Sequence, residues 1–205
     1  MGADEAALFQ PMAIAVHAMR RAKVQAGDCA VVQGIGGIGA FLVHALVELG
    51  AVVTAVDLSE ERLNLAREMG ANRVITGGGT DTVARIAAEI GHAIPIFYEV
   101  TGSVSGLEVA LEVSPPGTQI VQVGIHKKLR EVDLARLTLR ELSLSGTNAL
   151  VRETDFVDAA RLVASRRGRW KSIAPEPIAI EHVVDGALRP MAEGNPPAVK
   201  MLVQP

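Results

Sequence analysis

From Cys29 onward, short β-branched runs alternate with segments of helical period, and Gly, Pro or a capping residue marks each junction. Consecutive βαβ units have this pattern, which sets strands in parallel and covers both faces of the sheet with helices. The runs predict strands at 29–33, 51–57, 73–76, 94–100, 118–123 and 142–146. After the first, the stripe Ile38, Leu42, Ala45, Leu46 and Leu49 predicts a helix that Gly50 stops. Ser59 is placed to cap the next helix, with Glu60 and Glu61 in its first turn and Gly70 at its end. Val83, Ile86, Ala87 and Ile90 mark another, and a helix over 104–113 is stopped by Pro115-Pro116-Gly117. The stretch before the sixth strand reads as irregular. Beyond that strand, Thr154 is expected to cap a helix carrying Phe156, Ala160 and Val163. An amphipathic helix over 6–22 and a helix-strand pair over 180–203 flank this unit.

A length of 205 residues suits one domain, with its core at about 27–168. The chain is 49% hydrophobic but 3% aromatic, as expected of a buried aliphatic sheet. A net charge of −3 gives no footprint for nucleic acid or an anionic membrane. The basic run Arg166-Arg167-Gly168-Arg169 reads as solvated charge at a helix end. Cys29 is the single cysteine, so neither a disulfide nor a zinc-ligand spacing is expected, and the chain reads as cytoplasmic with no membrane span.

The first strand-helix junction narrows the class. Gly34-Ile35-Gly36-Gly37-Ile38-Gly39 has the G-x-G-x-x-G spacing: the first glycine turns the chain, the second lets backbone approach a pyrophosphate, and the third lets helix and strand pack. Asp57 follows at the end of the next strand, within the roughly 20-residue spacing of a ribose-binding acid. Together these predict an α/β Rossmann fold, a doubly wound six-stranded parallel sheet in the order 3-2-1-4-5-6. Its ligand crevice is expected at the carboxyl ends of the first and fourth strands. Amides near Gly37 and Ile38, at a positive helix end, are placed to hold cofactor phosphates without a lysine. Asp57 is placed to accept from the adenosine ribose hydroxyls and to repel a 2′-phosphate, so NAD is expected in preference to NADP. Arg62, close by in the next helix, either approaches that ribose or is solvated. His126 is the one histidine expected near the crevice, and it reads as a solvated loop residue.

Further segments extend the pattern: Phe9-Gln10-Pro11-Met12-Ala13-Ile14-Ala15-Val16-His17-Ala18, Ala26-Gly27-Asp28, Glu99-Val100-Thr101-Gly102, Val121-Gln122-Val123-Gly124 and Ala198-Val199-Lys200-Met201. With the glycine loop and Asp57, they resemble the cofactor half of zinc-type medium-chain alcohol and polyol dehydrogenases, especially the sorbitol and butanediol branch. The resemblance spans nearly the whole chain and implies hydride transfer between NAD and an alcohol in the parent enzyme. It also implies that Val100 and Thr101 border the adenosine and that Val123, Gly124 and Ile125 border the nicotinamide ribose. Backbone near Thr147 and Asn148 would meet the carboxamide, and Lys200 would reach toward the phosphates. The domain that holds the family's zinc and most of the substrate pocket is expected to have no counterpart in this chain. This chain is therefore expected to bind NAD(H) with no metal or catalytic residue of its own and little turnover. Gln10 stands where the polyol branch carries a glutamate beside zinc, and it reads as a helix-surface residue. The resemblance further implies a homodimer formed along the edge strand 142–146, whose unpaired backbone groups a second copy would satisfy. The terminal segments are expected to expose apolar patches.

The rival from another class is a non-catalytic NAD-sensing module, which predicts binding without turnover. A short-chain dehydrogenase needs Tyr-x-x-x-Lys, but the only tyrosine, Tyr98, is followed four positions later by Gly102. A methyltransferase fits the Gly39 spacing and the terminal segments less well. A zinc hydrolase is poorly supported, because Cys29 begins a strand at the end opposite the crevice.

Overall fold

A computed structural model describes residues 2–91 and 96–204, without the side chain of Ile90. The chain enters through α1 (Ala3–Ala6) and α2 (Phe9–Arg21). The helix expected over 6–22 is α2, which begins at Phe9; the one-turn α1 precedes it, with Ala7 and the buried Leu8 between them. The sheet follows as β1 (Cys29–Gln33), α3 (Gly39–Leu49), β2 (Val52–Asp57), α4 (Glu60–Glu68), β3 (Arg73–Thr76), α5 (Thr82–Ile90) and β4 (Ile96–Glu99). It continues as α6 (Val104–Val113), β5 (Gln119–Gln122), α7 (Leu134–Leu139), β6 (Ser143–Gly146) and α8 (Arg152–Ser165). Ile94 and Pro95, expected to open β4, lie outside the described residues.

The six strands pair in parallel in the order β3-β2-β1-β4-β5-β6, as the βαβ pattern predicts. Alternate residues of each central strand enter opposite cores. Val32, Tyr98 and Val121 face a cluster built with α2, α3, α4 and α8, while Val31, Phe97 and Ile120 face one built with α5 and α6. Helix α3, buried on nearly all sides through its first two turns, is accordingly more than a one-sided amphipathic element. Gly50 ends it with φ +93, and the Ser59 hydroxyl caps α4 by accepting from the Arg62 N–H. Among the described residues, no helix is long and apolar enough to cross a membrane.

Long-range contacts override several local expectations. Helix α8 is capped at Val151, and Thr154 lies inside its first turn. The carboxylate of Asp155 accepts from the Val151 N–H at 2.6 Å and from His17 at 3.0 Å, and it pairs with Arg20, so α8 is pinned to α2. Arg166 is not solvated: it is 7% exposed, pairs with Glu68 and stacks over Trp170. Arg167 and Arg169 are exposed as expected. The stretch expected to be irregular contains α7, whose Leu134 and Leu139 point to solvent. The C-terminal region holds a two-stranded pair, β7 (Ile178–Ala179) and β8 (Val203–Gln204), around a 3-10 turn, a π turn and α9 (Arg189–Ala192). Its fragmented helical part replaces the single helix expected there.

Candidate functional site

The carboxyl ends of β1 to β4 open on a cleft of about 590 Å³. Gly34 and Gly36 line it after β1, Asp57 at the end of β2, Gly77 after β3, and Val100 and Thr101 after β4. This is the crevice expected from the strand order, extended as far as β3.

The glycine loop divides its residues by what surrounds them. Gly34 has φ +98, and a Cβ there would stand 2.8 Å from Thr101 Cγ2. A Cβ on Gly39 would overlap the Gly34 carbonyl, with its carbon 2.9 Å away. These two positions are therefore glycine for reasons of turn and packing. Gly36 differs, because a Cβ there meets nothing closer than Arg62 Nη1 at 3.8 Å. No protein contact requires glycine at 36, and its open side faces the cleft. The first i→i−4 bond of the following turn runs from the Ala40 N–H to the Gly36 carbonyl. Amides at 37–39 therefore head the helix, as an anion site requires.

Asp57 and Arg62 flank this loop. One Asp57 oxygen accepts from the Ile35 N–H at 2.7 Å and the other from the Ser59 N–H at 3.0 Å. A carboxylate has about four acceptor sites, so each oxygen keeps capacity toward the cleft. Arg62, half-buried, donates from Nη1 to the Ile35 carbonyl at 3.0 Å and lines the cleft. Arg62 is therefore held at the cleft wall and is not a freely solvated side chain.

A buried polar network supports the turn after β4. The fully buried carboxylate of Glu99 accepts from the Thr101 N–H at 2.7 Å, the Gly102 N–H at 3.1 Å, the Thr101 hydroxyl and the Gln122 side-chain amide. Gly102, at φ +63, leaves no room for a Cβ against the Ile125 carbonyl at 2.8 Å, and a Cβ on Gly124 would overlap the Gly102 amide. The turn is thereby wedged between the glycine loop and the segment after β5. His126 belongs to this network and is not a solvated loop residue. Its side chain is 13% exposed, Nδ1 accepts from Arg130 Nε–H at 3.3 Å, and Nε2 lies 3.9 Å from Glu99. Composition gave no sign of the network, although Glu99 and Gln122 fall inside the quoted motifs.

The remaining expected residues lie away from the cleft. The Val123 and Gly124 amides donate to the Glu99 carbonyl at 2.8 and 2.9 Å, and Ile125 is exposed. The Thr147 N–H donates to the Gln122 carbonyl at 3.2 Å, and Asn148 beside it is exposed. Residues 123–125 and 147–148 thus sit on the same rim, past β5 and β6, and do not line the cleft. Lys200 is half-buried, and the preceding Val199 carbonyl lies 3.5 Å from a Cβ built on Gly37, so the C-terminal segment crosses the glycine loop. Gln10 is exposed on α2. Among the described residues, no three His, Cys, Asp or Glu side chains are grouped to hold a metal.

Known proteins share this arrangement. The profile described as zinc-binding dehydrogenase matches residues 37–165. (R,R)-Butanediol dehydrogenase of Bacillus subtilis (strain 168) is 35% identical over 144 residues, which are 70% of this chain and 42% of that protein. L-Idonate 5-dehydrogenase (NAD(P)(+)) of Escherichia coli (strain K12) is 34% identical over 142 residues, 69% of this chain and 41% of that protein. The crystal structure of 2R,3R-butanediol dehydrogenase from Bacillus subtilis matches with a TM-score of 0.88 at 28% identity, covering 100% of this chain and 58% of that one. The chain thus spans about half the length of the relatives it matches. With the profile running from the glycine loop into α8 and the same fold in a solved relative, the chain belongs to the zinc-binding dehydrogenase family.

Proposed function

We propose that this chain is the NAD(H)-binding part of an alcohol or polyol dehydrogenase. The observation that carries the reading is the Asp57 carboxylate at the cleft, beside a glycine loop whose open member, Gly36, has no protein contact to explain it. A dinucleotide fits this donor set. Asp57 accepts from the two ribose hydroxyls, the amides at 37–39 donate to phosphate oxygens, and Val100 and Thr101 form one wall of the adenosine pocket. A 2′-phosphate would place like charge against Asp57, which favours NAD over NADP. Arg62 holds the loop through the Ile35 carbonyl and offsets part of that charge. A dinucleotide held by these residues would supply hydride-transfer chemistry toward the carbinol carbon of an alcohol. The residues of this chain supply binding and orientation.

Calorimetric titration with NADH and NADPH tests the reading. Saturable NADH binding is expected, with NADPH at least about tenfold weaker, and Asp57→Ser should narrow that gap mainly by weakening NADH. Tighter binding of NADPH refutes the role given to Asp57. No binding of either dinucleotide refutes the reading as a whole.

A further inference from the structure

The register of the sheet lines up three polar side chains on one face of its carboxyl rim. Gln33 pairs with Glu99, and Glu99 with Gln122. Two residues earlier on the same face, Val31, Phe97 and Ile120 fill the apolar cluster under α5 and α6. Glu99 and Gln122 bond to each other, and Glu99 also bonds to the Thr101–Gly102 turn. Gln33 does neither. The residue is 9% exposed, its amide oxygen, like that of Gln122, is buried without a partner, and of the two only Gln33 lines the cleft, beside Gly34 and Asp57. Nearly all buried polar groups in folded proteins are paired, so an unpaired amide at the wall of a cleft points to a partner that enters the cleft.

The chemistry of that partner follows from the walls. Val56, Leu58, Val100 and Val109 offer apolar surface to the faces of a flat ring. On the cofactor reading, which this inference rests on, the base attached to the ribose at Asp57 falls among them. A 6-aminopurine presents a donor amino group beside a ring-nitrogen acceptor, and a carboxamide offers the complementary acceptor and donor. The terminal torsion of a glutamine is broad enough to turn that pair toward the base. We infer that Gln33 is the base-reading residue of this site, its amide hydrogen-bonding the 6-amino edge of the dinucleotide's adenine. On the edge that carries N7, a 6-oxopurine presents two acceptors in place of a donor and an acceptor, so one of the two bonds is lost whichever way the carboxamide turns. Before the base arrives, the unpaired amide weakens the fold, so an apolar side chain of similar length should strengthen it.

The test titrates the full chain and its Gln33→Met variant with NADH and with the reduced hypoxanthine analogue of NAD, and compares their melting temperatures without ligand. Wild type should bind NADH about tenfold more tightly than the analogue, the scale of one net hydrogen bond. Gln33→Met should bind both at the weaker level and melt about 3 °C higher without ligand. Equal binding of the two by wild type overturns base reading and leaves the cofactor site standing, a result that needs no variant. A preference that survives in Gln33→Met also overturns it. Failure of both dinucleotides to bind wild type removes the cofactor reading and this inference with it.

Discussion

Gly36→Ala and Gly39→Ala, three positions apart in one loop, should fail in opposite ways. At Gly39 the new methyl overlaps the Gly34 carbonyl, a backbone group that cannot swing aside. Overpacking of this kind costs about 1–3 kcal/mol or more, and the better helix propensity of alanine returns at most about 1 kcal/mol. A net loss near 2 kcal/mol should lower the melting temperature of a 205-residue chain by roughly 4–8 °C. At Gly36 the methyl meets only the end of Arg62, and the backbone is not left-handed. Alanine there restricts the unfolded chain and should stabilise by about 0.4–1 kcal/mol. That methyl nonetheless occupies the side from which a pyrophosphate approaches the helix amides. Displacing one phosphate oxygen from charge-assisted donors forfeits about 1.5–3 kcal/mol, so NADH affinity should fall by about 100-fold. Thermal melting and calorimetry on the two variants read both quantities. Wild-type NADH affinity in Gly36→Ala would refute the assignment of that open space to a ligand, and an undiminished melting temperature in Gly39→Ala would refute the packing argument.

Three further outcomes follow from the structure. Burial alone would raise the Asp155 carboxyl, but the Val151 N–H, Arg20 and His17 outweigh it and hold the group below its ordinary value. Its stabilisation is therefore present above the unfolded carboxyl's range and lost as pH falls through the folded value. Asp155→Asn should cost about 2 kcal/mol at pH 7 and flatten the melting curve's dependence on pH between about 5 and 3. Glu99→Gln sets an amide donor against the Gly102 N–H or the Gln122 amide, so a stability loss of about 2 kcal/mol is expected in urea unfolding, together with weaker NADH binding. An unchanged midpoint would contradict the network. If the edge strand β6 pairs with a second copy, sedimentation velocity should show a dimer of the wild-type chain and a monomer of Leu144→Lys, and a wild-type monomer would refute the pairing.

The parts of the fold that were legible in the sequence are those fixed by near neighbours. The bounds of β1 and β3, the Ser59 cap, the Gly50 stop and the glycine loop each depend on residues within a turn or two. The misses depend on distant ones. Thr154 looks like a cap until Asp155 is drawn toward His17 and Arg20, which lie 138 and 135 residues away. Arg166 looks solvated until Glu68, 98 residues earlier, reaches it. Helix α7 escaped because it is six residues long and, with Leu134 and Leu139 in water, only Leu137 packs against the core, too little for a periodic stripe. Gln33 and Gln122 read as polar exits from strands, and the signal that singles them out is their cross-strand register with Glu99, which exists only once the strand order is known.

Helices α3 and α6 both begin on the rim where the ligand is proposed to bind, and the chain treats their N-termini differently. Helix α6 begins beside a buried acid: a Cβ on Gly106 would stand 2.7 Å from Glu99 Oε1, and the Ser103 hydroxyl accepts from the Gly106 N–H at 3.0 Å. The partial positive charge of that helix end is thus met from within, which also explains how Glu99 stays buried without a guanidinium partner. Helix α3 has no acidic residue in its first turn and no side chain capping it, and Gly36 leaves the space before it open. On the proposed function, an incoming anion would meet open amides at α3 and an internal acid at α6. A dinucleotide whose phosphates rest on α3 places its adenosine ribose toward β2, where Asp57 stands, and its base toward the cleft wall that Gln33 shares with Val100. On the proposed function, the order of charge along the rim would therefore set the direction in which the cofactor lies.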